Sequence, residues 1–246
     1  RAAMERGKDL SFYDIPDVAG LDVVQGWDLA LITDPKHAES RDTDYTVGTT
    51  WARDADGNRY LMGLRRERGL TPAQLEGIVK NEFHKFGLNV RNIAVEKNNF
   101  GELIYLGLQK STDLPLKPHI TTGRAKADPW EGVPSLSVLF ENGKVILPSK
   151  TKEDRALLEP LINELWGLGR ETHDDCVMSL WIAETVLRKG SFVHRVSFND
   201  ASEFNAAADD RIKKLYGADA SAGASDEDGD GADHGLSDFW ANVPWE

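Results

Sequence analysis

The sequence predicts an α/β protein, a mixed β-sheet flanked by helices, followed by a disordered acidic C-terminal tail. Three observations carry this. Short apolar segments alternate with amphipathic helical ones along most of the chain. Hairpin-turn chemistry joins the second and third strand segments, which makes them antiparallel neighbours. From about residue 202 the composition turns small and polar, and residues 221–235 are acidic and glycine-rich. The organisation read from these signals is a lead-in over 1–20, a domain over 21–200 and a flexible acidic tail over 201–246 that ends in an aromatic cluster (Phe239, Trp240, Trp245).

Each element has its own signal. Residues 1–19 show no periodicity. Residues 23–31 are mostly apolar and read as a strand that Asp28 interrupts. A polar loop follows through Lys36, His37 and Asp42. Strands at 45–53 and 59–66 flank Asp54-Ala55-Asp56-Gly57-Asn58, which completes a three-stranded meander. Thr71-Pro72 is a helix start, with Leu75, Ile78, Val79, Phe83 and Phe86 on one face and Gly87 as the stop. A strand over 92–96, a helix over about 99–110, a weak strand near His119 and Ile120, a helix within 128–141 and a strand over 144–147 come next. Two strong helices close the domain. The first covers 152–168, with Leu157, Leu158, Leu161, Ile162, Leu165 and Trp166 as its stripe. The second covers 174–188, with Val177, Leu180, Trp181 and Val186 facing inward.

Composition narrows the function classes. A hydrophobic content of 40% and seven tryptophans indicate a real core. No apolar run approaches the roughly 18–20 residues that span a bilayer, so no membrane is expected. The single cysteine, Cys176, excludes an internal disulfide framework and fits a reducing compartment. It lies in an apolar helical stretch and reads as a buried thiol rather than a nucleophile. The net charge of −12 is uneven, with 12 acidic against 3 basic residues in 200–246. The rest of the chain is close to neutral, so the whole-chain charge is a poor guide to whether it can hold a polyanion.

Carboxylates stand where apolar structure is expected. Asp28 interrupts the first strand, Glu96 ends the strand Ile93-Ala94-Val95, and Asp174 and Asp175 open the last helix directly after His173. Asp44 ends the first loop. Mg²⁺ and Mn²⁺ prefer carboxylate oxygens, and two such ions can activate water and stabilise a leaving 3′ oxygen at a phosphodiester. Singly, each acid has a bland reading: a helix cap at Asp174, a solvated strand end at Glu96, a loop cap at Asp44. Asp28 is harder to explain that way, because an unpaired buried carboxylate is costly.

These residues carry a family resemblance. Gly26-Trp27-Asp28-Leu29-Ala30 with Thr43-Asp44-Tyr45-Thr46 resembles the first nuclease motif of phage large terminases. Val95-Glu96-Lys97-Asn98-Asn99 with Gly101 resembles the second, and Thr172-His173-Asp174-Asp175-Cys176-Val177-Met178-Ser179-Leu180 the third. Gly123-Arg124-Ala125-Lys126 and the stretch 140–148 resemble the segment that the family places between the second and third acids.

The resemblance covers about 22–188 and implies an RNase H-like fold, which has the same strand–helix order. It implies a DNA endonuclease that cuts concatemeric viral DNA during genome packaging in the host bacterial cytoplasm. Asp28, Glu96, Asp174 and Asp175 would be catalytic ligands for two Mg²⁺ or Mn²⁺ ions, with Asp175 favoured over Asp174. Asp44 and His173 are secondary candidates. Large terminases also carry an ATPase motor, and this chain has no Gly-x-x-x-x-Gly-Lys-Ser/Thr loop. The motor is expected upstream of Arg1, the alternative being a free-standing nuclease, and no ATP site is expected here.

Candidate DNA contacts are Arg124, Lys126, Lys97, Arg65 and Arg66, with Arg68, Lys36 and His37 behind them. Expected partners are double-stranded DNA, the portal and the small terminase subunit, with the acidic tail as a docking segment. The competing readings are another RNase H-like enzyme, a transposase or junction resolvase, and a non-catalytic packaging interaction module.

Overall fold

The structure is a computed structural model that describes residues 1–14, 18, 20–30, 45–97, 101–167 and 173–190. Asp44, Lys36, His37 and the tail 201–246 lie outside the described residues. The chain divides between Ser197 and Phe198, and everything below concerns the first unit.

Six strands form one sheet: β1 (Asp22–Asp28), β2 (Thr46–Arg53), β3 (Arg59–Glu67), β4 (Val90–Glu96), β5 (Leu116–His119) and β6 (Val145–Ile146). The spatial order is β5-β4-β1-β2-β3-β6. β1, β2 and β3 are the antiparallel meander, while β4 runs parallel to β1 and β5 parallel to β4. The loop between β2 and β3 closes as its composition predicts. Gly57 takes φ 79°, and the Asp54 carboxylate accepts from the Asn58 backbone and side-chain amides, both at 2.8 Å.

Helices cover both faces. On one side lie α2 (Pro72–Phe86) and α3 (Gly101–Ser111). On the other lie α6 (Lys152–Trp166) and α7 (Asp175–Lys189), with α5 (Ser135–Glu141) beside them. The period of two along β1 explains the division. Val23 and Trp27 enter the α2–α3 core, while Val24 faces the α7 core. Gly26 also points at α7, and a Cβ there would overlap the Ser179 carbonyl oxygen and the Ala183 amide nitrogen. The glycine is what lets the helix backbone settle on the strand.

Several sequence expectations are refined. α2 starts with a full capping box between Thr71 and Gln74 and buries Leu75, Val79 and Phe86. The helix expected within 128–141 is α5, preceded by the single turn α4 (Gly123–Ala127). Trp166 is not part of the α6 stripe: it ends the helix 86% exposed, while Leu158 and Leu161 are fully buried. α7 is buried on nearly every side, with Cys176, Met178, Ile182, Ala183 and Leu187 inside as well as the predicted stripe. The sheet lies beneath it, α6 lies alongside, and the segment leading to α5 closes over it. That segment is held by Trp181, whose indole N–H donates to the Glu131 carbonyl at 2.8 Å.

Residues 1–14, which show no periodicity, still pack. α1 (Ala2–Arg6) precedes Phe12, which is buried, and the Phe12 N–H and Ser11 hydroxyl both donate to Asp154 Oδ1, at 3.0 and 2.9 Å. Asp154 also completes the capping box of α6 with Thr151. No helix of the described residues is long and apolar enough to cross a membrane.

Candidate acidic active site

Asp28 and Glu96 end neighbouring parallel strands. The register pairs Gly26 with Ala94 and Trp27 with Val95, so the next step sets Asp28 beside Glu96. Alternation sends both carboxyls to the α7 side, in line with Val24 and Ala94, which lie in that core. α7 runs across this face and presents its first turn at the same end, which places Asp174 and Asp175 over the two strand ends.

The electrostatics reflect this crowding. Burial pushes the Asp28 carboxyl well above the usual aspartate range. The neighbouring Glu96 charge, a hydrogen bond with Glu96, and the charges of Asp175 and Asp174 push it the same way. The Asp28 and Glu96 carboxyls are therefore hydrogen-bonded side by side. Asp175 is buried, and its Oδ2 accepts from the Tyr45 N–H at 3.1 Å, with His173 Nδ1 at 3.8 Å. Tyr45 is itself held between Arg66 and Arg68, whose guanidinium carbons lie 3.1 and 3.6 Å from its ring centroid. Its ring meets His173 edge-on at 5.9 Å.

Asp174 stands at the N-cap of α7, yet its side chain makes no capping hydrogen bond. The bland reading of that residue therefore fails here. The free N–H groups of α7 are satisfied from another helix: Glu164 Oε2 of α6 accepts from Cys176 and Val177 at 2.7 and 3.1 Å. The sequence reading missed Glu164, because a polar residue between Leu161 and Leu165 looks like the solvated side of an amphipathic helix. Burial raises its carboxyl pKa, against the pull of those N–H groups. Asp174 instead meets Lys126 of α4, with Oδ2 and Nζ 2.5 Å apart.

The other predicted contacts are dispersed. Lys97 pairs with Glu102 at 2.9 Å. Arg65 pairs with Glu67 and lies 4.0 Å from Glu82. Arg124 is exposed on α4. His119 was read only as part of a strand. It lies opposite Glu96 in the register and packs edge-on against Trp181 at 5.1 Å, and burial lowers its imidazole pKa while Glu96 raises it. Cys176 is fully buried, and burial first, then Glu164, pushes its thiol far above the usual range, which makes it a packing residue.

Among the described residues, no three His, Cys, Asp or Glu side chains are gathered as a metal-ligating cluster. The reason is visible in their partners: Asp28 is turned to Glu96, Asp174 to Lys126 and Asp175 to the Tyr45 amide. The donor set still fits hard divalent cations, being all carboxylate and carrying excess negative charge that a cation would relieve. A cavity of about 340 Å³ lined by Arg66, Glu164 and His173 adjoins this end of α7. A larger one, about 400 Å³, is apolar and lies away from the acids, beneath α5 and α6.

A mixed sheet with an antiparallel β1–β2–β3 meander, parallel β4 and β5, and acids at the ends of β1, β4 and the last helix defines the class: an RNase H-like α/β domain. Within it, the chain belongs to the terminase RNase H-like domain family, whose model matches residues 25–183. Among solved structures, it is similar to the large terminase nuclease from thermophilic phage G20c, with TM-score 0.47 and 20% identity, covering 67% of this chain and 82% of that one. It is also similar to the yeast mitochondrial Holliday junction resolvase Ydc2, with TM-score 0.40 and 13% identity, covering 72% and 82%. No curated protein matches the chain.

Proposed function

We propose that this domain is a metal-dependent endonuclease that hydrolyses double-stranded DNA during viral genome packaging. The observation that carries the reading is the placing of Asp28 and Glu96 at neighbouring strand ends, with Asp174 and Asp175 at the helix start near enough for their charges to act on Asp28. Burial first, and then repulsion from the Glu96, Asp175 and Asp174 charges, raises the Asp28 pKa. In a protein with no use for a cation, that repulsion would be an unrelieved penalty.

Asp28, Glu96, Asp174 and Asp175 would hold the ions. Bound Mg²⁺ or Mn²⁺ would supply the Lewis acidity and charge neutralisation of two-metal phosphodiester hydrolysis. The chain's own residues do the rest. Asp28 and Glu96, at neighbouring strand ends, would present their carboxylates together. The Tyr45 amide fixes Asp175, and Arg66 and Arg68 fix Tyr45. Arg124, and Lys126 once it is free of Asp174, meet the DNA backbone, where contacts position the duplex without reading its sequence. Water adds to the phosphorus and loses a proton to solvent, while the bond to the 3′ oxygen breaks and that oxygen takes up a proton, which leaves 5′-phosphate and 3′-hydroxyl ends. The portal and the small terminase subunit are the partners this role implies.

The test is cleavage of supercoiled plasmid with Mn²⁺ or Mg²⁺ by the chain and by Asp28→Ala and Asp175→Ala. Nicking and linearisation that need the metal and disappear in both variants, with losses of at least about 100-fold expected for a metal ligand, support the assignment. Full activity in either variant removes that residue from the site, and full activity in both removes the site.

A further inference from the structure

Lys126 reaches Asp174 from a braced turn. Thr122 caps α4 by accepting from the Ala125 N–H at 3.1 Å, and the Val133 N–H donates to the Lys126 carbonyl at 3.0 Å. The Gly132 N–H donates to the Asp128 carbonyl at 2.9 Å. Gly132 has no room for a side chain, since a Cβ there would lie within 2.6 Å of the carbonyl oxygens of Ala125, Lys126 and Asp128. Trp181 and Arg188 of α7 then tie this segment down, to the Glu131 carbonyl at 2.8 Å and the Ser135 hydroxyl at 2.9 Å. Lys126 and Asp174 are thereby held against each other by one helix.

Asp174 has no local duty that explains its position. Glu164 caps α7 in its place, so the Asp174 carboxylate is available to whichever cation reaches it. In this structure that cation is the Lys126 ammonium. The pair is weak enough to exchange, since its side chains are 40% and 45% exposed and water screens the attraction. A divalent ion and an ammonium cannot share that carboxylate without repelling each other. A phosphodiester oxygen, however, offers Lys126 another anion of the same kind.

We propose that the Lys126–Asp174 ion pair is a latch that couples completion of the metal site to the arrival of DNA. Without DNA, Lys126 holds Asp174; a backbone phosphate draws the ammonium away and releases the carboxylate to the metal. By linkage, bound metal then favours DNA to the same degree that bound DNA favours metal. A device of this kind suits a nuclease that must not cut before its substrate is seated. The inference rests on the proposed nuclease function.

The experiment is Mn²⁺ binding to the full chain, read from the EPR signal of free Mn²⁺, with and without a cleavage-resistant phosphorothioate duplex. The parent is compared with Lys126→Met, Lys126→Arg and Asp28→Asn. In the parent, DNA is expected to tighten Mn²⁺ binding about two- to fivefold, the range set by one half-exposed ion pair. Lys126→Met binds Mn²⁺ that much more tightly without DNA and gains nothing when DNA is added. Lys126→Arg, which keeps the charge, keeps the coupling. Lys126→Met with the parent's DNA dependence overturns the latch and leaves the nuclease reading intact. Parent protein that binds no Mn²⁺ in either condition, or binding unchanged in Asp28→Asn, overturns the nuclease reading and the latch with it.

Discussion

Asp28 sits in β1 with its carboxyl enclosed by the sheet, α7 and three other acids, and this makes its protonation a matter of stability. Its pKa is raised on folding, so the folded chain binds the proton more tightly than the unfolded one. Stability is therefore lost as the pH climbs from the ordinary aspartate range through the raised folded value. Asp28→Asn removes that loss. In EDTA near neutral pH its Tm is expected to exceed the parent's. The two curves should meet as the pH falls below the aspartate range; a thermal-shift series in which Asp28→Asn melts lower at every pH would contradict this. Glu164 is the second decisive residue. Glu164→Ala leaves two buried N–H groups of α7 without an acceptor and should destabilise the fold by about 1–3 kcal/mol. Glu164→Gln keeps an acceptor oxygen, and urea unfolding should show a clearly smaller loss.

At the scale of elements, α7 decides the site, because it is packed on β1, β2 and β4 and carries two of the acids at its tip. Two features fix its height and register. Gly26 lets its backbone touch the sheet. Glu184, almost wholly buried, receives Arg59 through two bonds at 2.9 and 3.0 Å, Trp51 Nε1 at 2.7 Å and Arg188 at 2.8 Å. Gly26→Ala pushes a methyl into the Ser179–Ala183 turn. It is expected to cost about 1–3 kcal/mol, as overpacking does, and to lower cleavage with it by displacing Asp174 and Asp175. Glu184→Ala strands a buried guanidinium and should destabilise by about 3–5 kcal/mol. Both are read by chemical denaturation; a Gly26→Ala variant of parent stability would show that the helix rises without consequence.

For the whole molecule, the acids and the cation they would hold are one linked equilibrium. An ion that binds the proposed acidic site binds the folded chain and not the unfolded one, so Mn²⁺ should raise the Tm. At about 100 times its Kd, the ion adds about 2.7 kcal/mol through binding the native state alone. That rise should vanish in Asp28→Asn, and its persistence there would place the metal elsewhere. Duplex binding should also weaken steeply with salt, because the proposed contacts to DNA are side-chain cations such as Arg124 that would meet its phosphates, and not groups shaped to read base edges.

The sequence by itself determined most of the element types, the β2–β3 turn and the helix cap at Thr71, and it singled out the acids Asp28, Glu96, Asp174 and Asp175. All of these rest on local chemistry: a period of 2 or 3.6, a turn glycine, a hydroxyl before a helix, a charge inside an apolar run. Only the tertiary structure decided what those acids meet. The Asp28–Glu96 pair follows from a register between strands more than sixty residues apart, and no local pattern encodes it. Glu164 reads as a solvated helix residue until α7 is laid against it, and Lys126 reads as a surface cation until α4 is braced over Asp174. Trp166, a hydrophobic residue on the apparent inner stripe, turns outward because the core beneath α6 ends at Leu161 and Leu165. Partners far apart in sequence are chosen by packing, and packing depends on the whole set of contacts at once.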